Sequence, residues 1–375
     1  MPVWHNRLDD APFWCIIALG GASPVTMARE RKTIPLTQDT RNSIEVSELT
    51  KRYGSRDTGV LAVDHVSFAV RRGEVFGFLG PNGAGKTTTQ RMLTTLLEPT
   101  GGRILIDGHD LAGDAYPARR QMGLVPEESN VYDELTAWGN LMFTARLYRV
   151  PQRERAGRAQ ELLETFGLWG KQDVKVAEYS KGMRRRLSII MGIIHRPSLL
   201  FLDEPASGLD AQSTRLIRDL IRQLNAEGTT IFLTTHQIEE ANQICGRVAI
   251  INHGRIAAID TPERLKRTFR RVQSVEVALE PAGNASDHAV TGLPGVTTSV
   301  KMGDKWRLYT EDPSALLPLL IDSARANGSQ VVSVNTLGPS LEDVFLEITG
   351  QPVGSEPLRA PDSGRKQGPR KGGGR

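Results

Sequence analysis

The run Gly80-Pro81-Asn82-Gly83-Ala84-Gly85-Lys86-Thr87-Thr88 has the residue types needed to hold a chain of phosphates. Its glycines let backbone N–H groups curl around phosphate oxygens with no Cβ in the way. A helix starting there points its positive dipole end at the anion. Lys86 supplies a point charge to the terminal phosphates, and the Thr87 hydroxyl suits Mg²⁺. A second chemical element is Leu199-Leu200-Phe201-Leu202-Asp203-Glu204-Pro205. Four apolar residues predict a buried strand with two carboxylates at its C-terminal end, where ligands bind in parallel α/β sheets. Asp203 suits Mg²⁺ coordination through water. Glu204 suits a general base, or an orienter, for an attacking water.

Those groups need a scaffold. Val75-Phe76-Gly77-Phe78-Leu79 reads as a buried parallel strand entering the glycine loop. A helix is expected from about Thr87 to Leu97, and two strands precede it, the first from Ile44. Residues from about 117 to 196 read as mainly helical. Ser180 is a candidate N-cap, after which Met183, Leu187, Ile190, Met191 and Ile194 share one helix face. Strands return at Leu199–Leu202 and Thr230–Leu233. Strands alternating with helices imply an α/β parallel sheet. After about Thr268 the composition shifts: Val275, Val277 and Leu279 alternate with polar or small residues. A further strand, a helix over Ala315–Ala326 and a strand at Val331–Val334 predict a small α+β domain. The amphipathic Leu341, Val344, Phe345 and Ile348 are expected to close it.

Composition limits the alternatives. The chain has 375 residues, 39% hydrophobic and 24% charged, which excludes disorder for its bulk and suggests two domains. The net charge of +4 is carried by the tail 351–375, which holds six basic and two acidic residues, so no basic nucleic-acid face is expected. Cys15 and Cys245 are the only cysteines, too few for a disulfide framework or cysteine-rich zinc site, and fit a reducing setting. In front of the uncharged stretch Ala11–Met27, Asp9 and Asp10 spoil a positive n-region, and Gly20, Gly21 and Pro24 break the stretch itself. It therefore reads as neither a secretory signal nor a membrane span. The expected organisation is an extension over 1–42, disordered or before the true start; an α/β domain carrying the phosphate loop over 43–268; a small α+β domain over 269–350; and a disordered basic tail over 351–375.

The glycine loop, Tyr179-Ser180-Lys181-Gly182-Met183-Arg184-Arg185-Arg186-Leu187, the Leu199–Pro205 run and Thr234-Thr235-His236 occur together in one order. That ordered set resembles the ATP-binding cassette (ABC) nucleotide-binding subunits, in a branch similar to daunorubicin-resistance ATP-binding proteins, of ABC-2 type. Pro339-Ser340-Leu341-Glu342-Asp343-Val344-Phe345-Leu346 resembles that branch's ending. The resemblance implies a P-loop NTPase fold with a RecA-like sheet core and a helical subdomain. It implies ATP and Mg²⁺ as cofactors, with hydrolysis powering export of a drug-like or lipid-like compound. It further implies a homodimer of cassettes, an integral membrane permease as partner, and a place on the cytoplasmic face of the membrane. A non-transport ATPase in DNA repair or on ribosomes is the competing reading.

Roles follow by resemblance. Tyr53 resembles the aromatic that stacks on adenine. Ser180 and Gly182 resemble signature residues that touch the γ-phosphate from the opposite subunit. His236 resembles the switch histidine, and Ser207-Gly208-Leu209-Asp210 the loop crossing the dimer interface. Two positions depart from the pattern. Glu127 stands where glutamine is usual; a carboxylate there only accepts hydrogen bonds, which near Mg²⁺ predicts retained turnover with altered metal dependence. Lys181 replaces the first signature glycine, acceptable with its side chain outward.

Overall fold

The computed structural model describes residues 41–55, 59–268, 273–280, 290, 292–338 and 340–350. Residues 1–40 of the proposed N-terminal extension and the proposed tail over 351–375 lie outside them, while Asn42, expected in the extension, already pairs with Arg71 in the first strand. Strands β1 (Asn42–Tyr53), β2 (Val60–Arg71), β3 (Val75–Leu79), β4 (Gly101–Ile106), β5 (His109–Asp110), β6 (Met122–Val125), β7 (Leu199–Asp203), β8 (Thr230–Thr235), β9 (Arg247–Asn252) and β10 (Arg255–Asp260) form two sheets. The first is antiparallel, in the order β2-β1-β4-β5. The second has the order β10-β9-β3-β8-β7-β6, parallel except for its β10 edge.

Every residue of β3, β7 and β8 is buried. The period of two persists inside these apolar runs and sorts them onto two faces. Phe76, Phe78, Phe201 and Phe232 point into the core shared with the antiparallel sheet. There Phe68 and Phe76 stack with centroids 5.6 Å apart, and Phe232 lies 6.0 Å from Phe76. Val75, Leu79, Leu200, Leu202, Ile231 and Leu233 point the other way, into a core shared with helices.

The helices are α1 (Lys86–Leu93), α2 (Tyr116–Gln121), α3 (Ala137–Leu147), α4 (Gln152–Thr165), α5 (Lys181–Ile193), α6 (Ala211–Ala226), α7 (Ile238–Ile244) and α8 (Pro262–Thr268). Helix α1 stops at Leu93 and not at the expected Leu97, because the amides of Leu96 and Leu97 turn back onto the Arg91 carbonyl. The stretch from 117 is less helical than its composition predicts. Met122–Val125 pairs in parallel with Leu199–Leu202, and Met122 and Val125 are buried there, so a sheet strand interrupts it.

Strands β11 (Gln273–Glu280), β12 (Val296–Met302), β13 (Lys305–Thr310) and β14 (Gln330–Leu337) make a third, antiparallel sheet ordered β12-β13-β11-β14. Helix α9 (Pro313–Ala326) covers one face through Leu316, Leu320 and Ala324, against Val275, Val277 and Leu308. Helix α10 (Leu341–Thr349) departs from expectation. With that face occupied by α9, its Leu341, Val344 and Phe345 bury in the core of the large parallel sheet, against α7, α8 and β9. A capping box between Ser340 and Asp343 starts it. Arg307 of β13 reaches Glu342 at 3.8 Å, so α10 lies between the two units.

His195, just after α5, stacks on Tyr148 with ring centroids 3.9 Å apart, and its Nε2 lies 2.9 Å from the Met122 carbonyl. Burial pulls its pKa down to about 4. The unfolded chain binds this proton near pH 6.5 while the folded chain does not, so stability falls as pH drops from ~6.5 towards 4. The full effect is about 3 kcal/mol. His195→Gln should flatten this acid limb in urea titrations at stepped pH; an unchanged slope would remove His195 as its source.

Candidate functional site

The site lies where β3, β7 and β8 end side by side. Gly85 caps α1 with φ 107°, and a Cβ there would come 2.6 Å from the Ala62 carbonyl of β2. A Cβ on Gly80 would sit 2.5 Å from the Ile251 carbonyl of β9. Packing against neighbouring strands, as well as phosphate approach, therefore requires glycine at both positions. Nothing within 4 Å obstructs a Cβ on Gly83, so this stretch of the loop is open. Ala84 N donates to Pro81 O and Thr89 N to Gly85 O, which closes the loop onto the helix; Asn82 is exposed at its crest.

Lys86 opens α1 and is buried. Its Nζ donates to Gly80 O at 2.8 Å and Pro81 O at 3.3 Å, and lies 3.6 Å from Glu204 Oε1. Burial lowers its pKa, opposed by the charges of Glu204 and Asp203. Asp203 ends β7, accepts a hydrogen bond from the Thr234 hydroxyl, and has its pKa raised chiefly by burial. Glu204 has φ 46°, unusual for a residue with a Cβ, and its amide donates to Thr234 O at 3.0 Å. That turn aims its carboxylate back between the Lys86 ammonium and the His236 imidazole. Oε1 faces Lys86, while Oε2 lies 2.9 Å from His236 Nδ1 and accepts from His236 N at 3.3 Å. The hydrogen bond to Glu204 raises the His236 pKa.

The structure thus brings together Lys86, Asp203, Glu204 and His236. Thr87 and Thr88 lie on the first turn of α1, and Thr87 and Asp203 line a cavity of about 170 Å³ with Gln90, Asn130 and Tyr148. Glu127 has an exposed side chain whose charge is felt at Lys86 and His236. Tyr53 ends β1 opposite Val60, two residues from the Ala62 carbonyl that abuts Gly85. It is 44% exposed, enough ring for a base to cover, and Lys51 Nζ lies 5.4 Å from its centroid.

Ser180 and Gly182 lie apart from this cluster, at the start of α5. Ser180 Oγ accepts from Met183 N at 3.2 Å, as an N-cap. A Cβ on Gly182 would meet Ser213 Oγ at 2.6 Å, and Asp210 caps α6 by accepting from Ser213 N at 2.8 Å. Lys181 is exposed, its ammonium lying over Gly208. Within one protomer the signature and the 207–210 loop thus share a surface.

Sequence reasoning passed over two buried groups. Arg185, within the run Arg184-Arg185-Arg186, lies on the face of Ile189 and Gly192 and is buried. The i, i+4, i+7 spacing was the available signal. Glu240 on α7 is also buried, and burial pushes its pKa up to about 7.

An open glycine loop, a buried lysine and a helix N-terminus together suit a chain of phosphates. With carboxylates at the adjacent strand end, that geometry defines a P-loop nucleoside triphosphatase. The sequence pattern of the ABC transporter family matches residues 63–207. Daunorubicin resistance ATP-binding protein DrrA3 of Streptomyces coeruleorubidus is 38% identical over 82% of this chain and 96% of its own length. Linearmycin resistance ATP-binding protein LnrL of Bacillus subtilis is 33% identical, over 82% and 98%. Nod factor export ATP-binding protein I of Rhizobium meliloti is 35% identical, over 92% and 97%. Among solved structures, an ATP-binding subunit of an ABC transporter aligns with TM-score 0.55 at 33% identity, over 60% of this chain and 92% of that one. A dimeric ATP-binding cassette in a post-hydrolysis state with ADP and Pi aligns with TM-score 0.54 at 26% identity, over 58% and 98%. The chain belongs to the ATP-binding subunits of ABC transporters.

Proposed function

We propose that this chain hydrolyses ATP to drive an export pump whose membrane-spanning part is a separate permease of ABC-2 type. The observation that carries the proposal is Glu204 held between Lys86 and His236 beside an open phosphate loop. Lys86 exchanges its loop carbonyls for the β- and γ-phosphates. Glu204 orients the attacking water and takes up its proton, and His236 marks the γ-phosphate. Tyr53 stacks on the base. The oxygen donors Thr87, Asp203 and Glu127 fit Mg²⁺, a hard cation that completes its shell with water and phosphate. Mg²⁺, when bound, offsets charge developing on the phosphates.

Two copies close head-to-tail, each offering Ser180 and Gly182 to the other's nucleotide, with Asp210 at the interface. The relatives' names support dependence on a transporter, and the dimeric cassette supports pairing. Among the described residues no helix is long and apolar enough to cross a membrane. The chain would work at the cytoplasmic face. The relatives are named for different compounds, daunorubicin, linearmycin and Nod factor.

The docking surface follows from the segment after Glu127. Tyr132 is half-buried with its ring edge-on to Phe143 at 5.2 Å. Leu135 and Phe143 are the exposed apolar residues beside it, at 38% and 37%. Leu135→Ser should cut export by cells at least about tenfold while purified-subunit turnover stays within about twofold, the pattern of a lost interface anchor. A parallel fall in both would assign the segment to catalysis. Unchanged export would place docking elsewhere.

A further inference from the structure

The Arg185 guanidinium lies at the junction of three segments. Its Nε donates to Pro205 O at 3.0 Å and its Nη2 to Asp203 O at 2.6 Å. Its Nη1 donates to Glu127 O at 3.2 Å and to Pro126 O. One planar fork therefore binds four carbonyls, two from the loop leaving β6 and two from the end of β7. The arginine itself belongs to the first turns of α5, five residues after Ser180. Burial draws its pKa down to about 10, so it remains charged at neutral pH.

We infer that Arg185 is a positioning residue that makes the Ser180–Gly182 segment follow the Glu127 loop and the Asp203–Glu204 strand end. A buried cation held by carbonyls keeps its stability only while those bonds hold, so displacing any one segment strains the other two. Backbone fit reinforces the link. A Cβ on Gly123 of β6 would come 2.2 Å from Gly192 O, and one on Gly192 would come 2.8 Å from Val125 Cγ2. Helix α5 is thus seated on β6 at close range, with Arg185 fastening its front. A change at the Glu127 loop when nucleotide binds then reaches Ser180 through rigid parts. Lysine cannot replace this, since its ammonium is a point charge without the fork.

The inference rests on the proposed use of Ser180 and Gly182 at a neighbouring copy's nucleotide. The test is amide hydrogen exchange on the full chain, with and without ATP and Mg²⁺, comparing wild type, Arg185→Lys and Arg185→Met. In wild type, both the 124–131 and 177–184 segments should change their exchange on nucleotide addition. In Arg185→Lys the first response should persist and the second shrink at least about threefold, because only the link is cut. Arg185→Met should show the same asymmetry more strongly; if it does not fold, Arg185→Lys decides. Equal responses in wild type and Arg185→Lys would overturn the inference. So would loss of both responses together, which marks a merely structural support. Sedimentation of Glu204→Gln with ATP reads the pairing separately: a monomer there sinks the dimer, while the exchange comparison still decides Arg185.

Discussion

Lys86→Ala should fold and lose ATP, with affinity down at least about 100-fold and turnover abolished. The lysine is the one buried cation facing the loop carbonyls, and electrostatic stabilisation at such a site is worth about 10²–10³ in rate. Alanine also removes the ammonium beside the buried Glu204 carboxylate, whose other close partner is the His236 imidazole at 2.9 Å. The α1 helix should survive, because its Gly85 cap and the Thr89 N to Gly85 O bond do not involve the side chain. Titration with a fluorescent ATP analogue reads the affinity. Binding within about threefold of wild type would show that backbone N–H groups alone hold the phosphates.

Glu204→Gln should act in the opposite sense on binding. The amide keeps the shape and removes a negative charge beside the triphosphate site, so ATP affinity should hold or rise. Turnover should fall at least about 100-fold, the upper part of what a positioned general base contributes. His236 Nδ1 loses an anionic partner, so its raised pKa should fall back, which NMR titration of the imidazole would show. Near-normal turnover would remove Glu204 from catalysis.

The parts of this site that were legible in the sequence are local runs. The glycine loop, the Leu199–Pro205 strand and the Ser180 cap each lie within about ten consecutive residues, where type and spacing suffice. What escaped depends on distant pairings. Strands β7 and β8 pair in parallel with Asp203 opposite Thr234, so the contact of Glu204 with His236, 32 residues further along the chain, is set by strand order. Arg185 was hidden for a related reason. Its burial is made tolerable by the carbonyls of Pro126, Glu127, Asp203 and Pro205, from two other segments. Helix α10 shows the same limit. Its amphipathic pattern was plain, but the face it covers was decided by α9 occupying the nearer sheet.

The central claim is that this chain turns ATP hydrolysis into work by a membrane partner. The most direct measurement is to purify the tagged chain from detergent-extracted membranes and assay MgATP turnover beside the same preparation of Glu204→Gln. The account predicts that a membrane-spanning protein co-purifies, that the wild-type complex hydrolyses ATP, and that the variant complex turns over at least about 100-fold more slowly while retaining the partner. Recovery of an active chain with no membrane-spanning protein, or equal turnover in the two preparations, would contradict it.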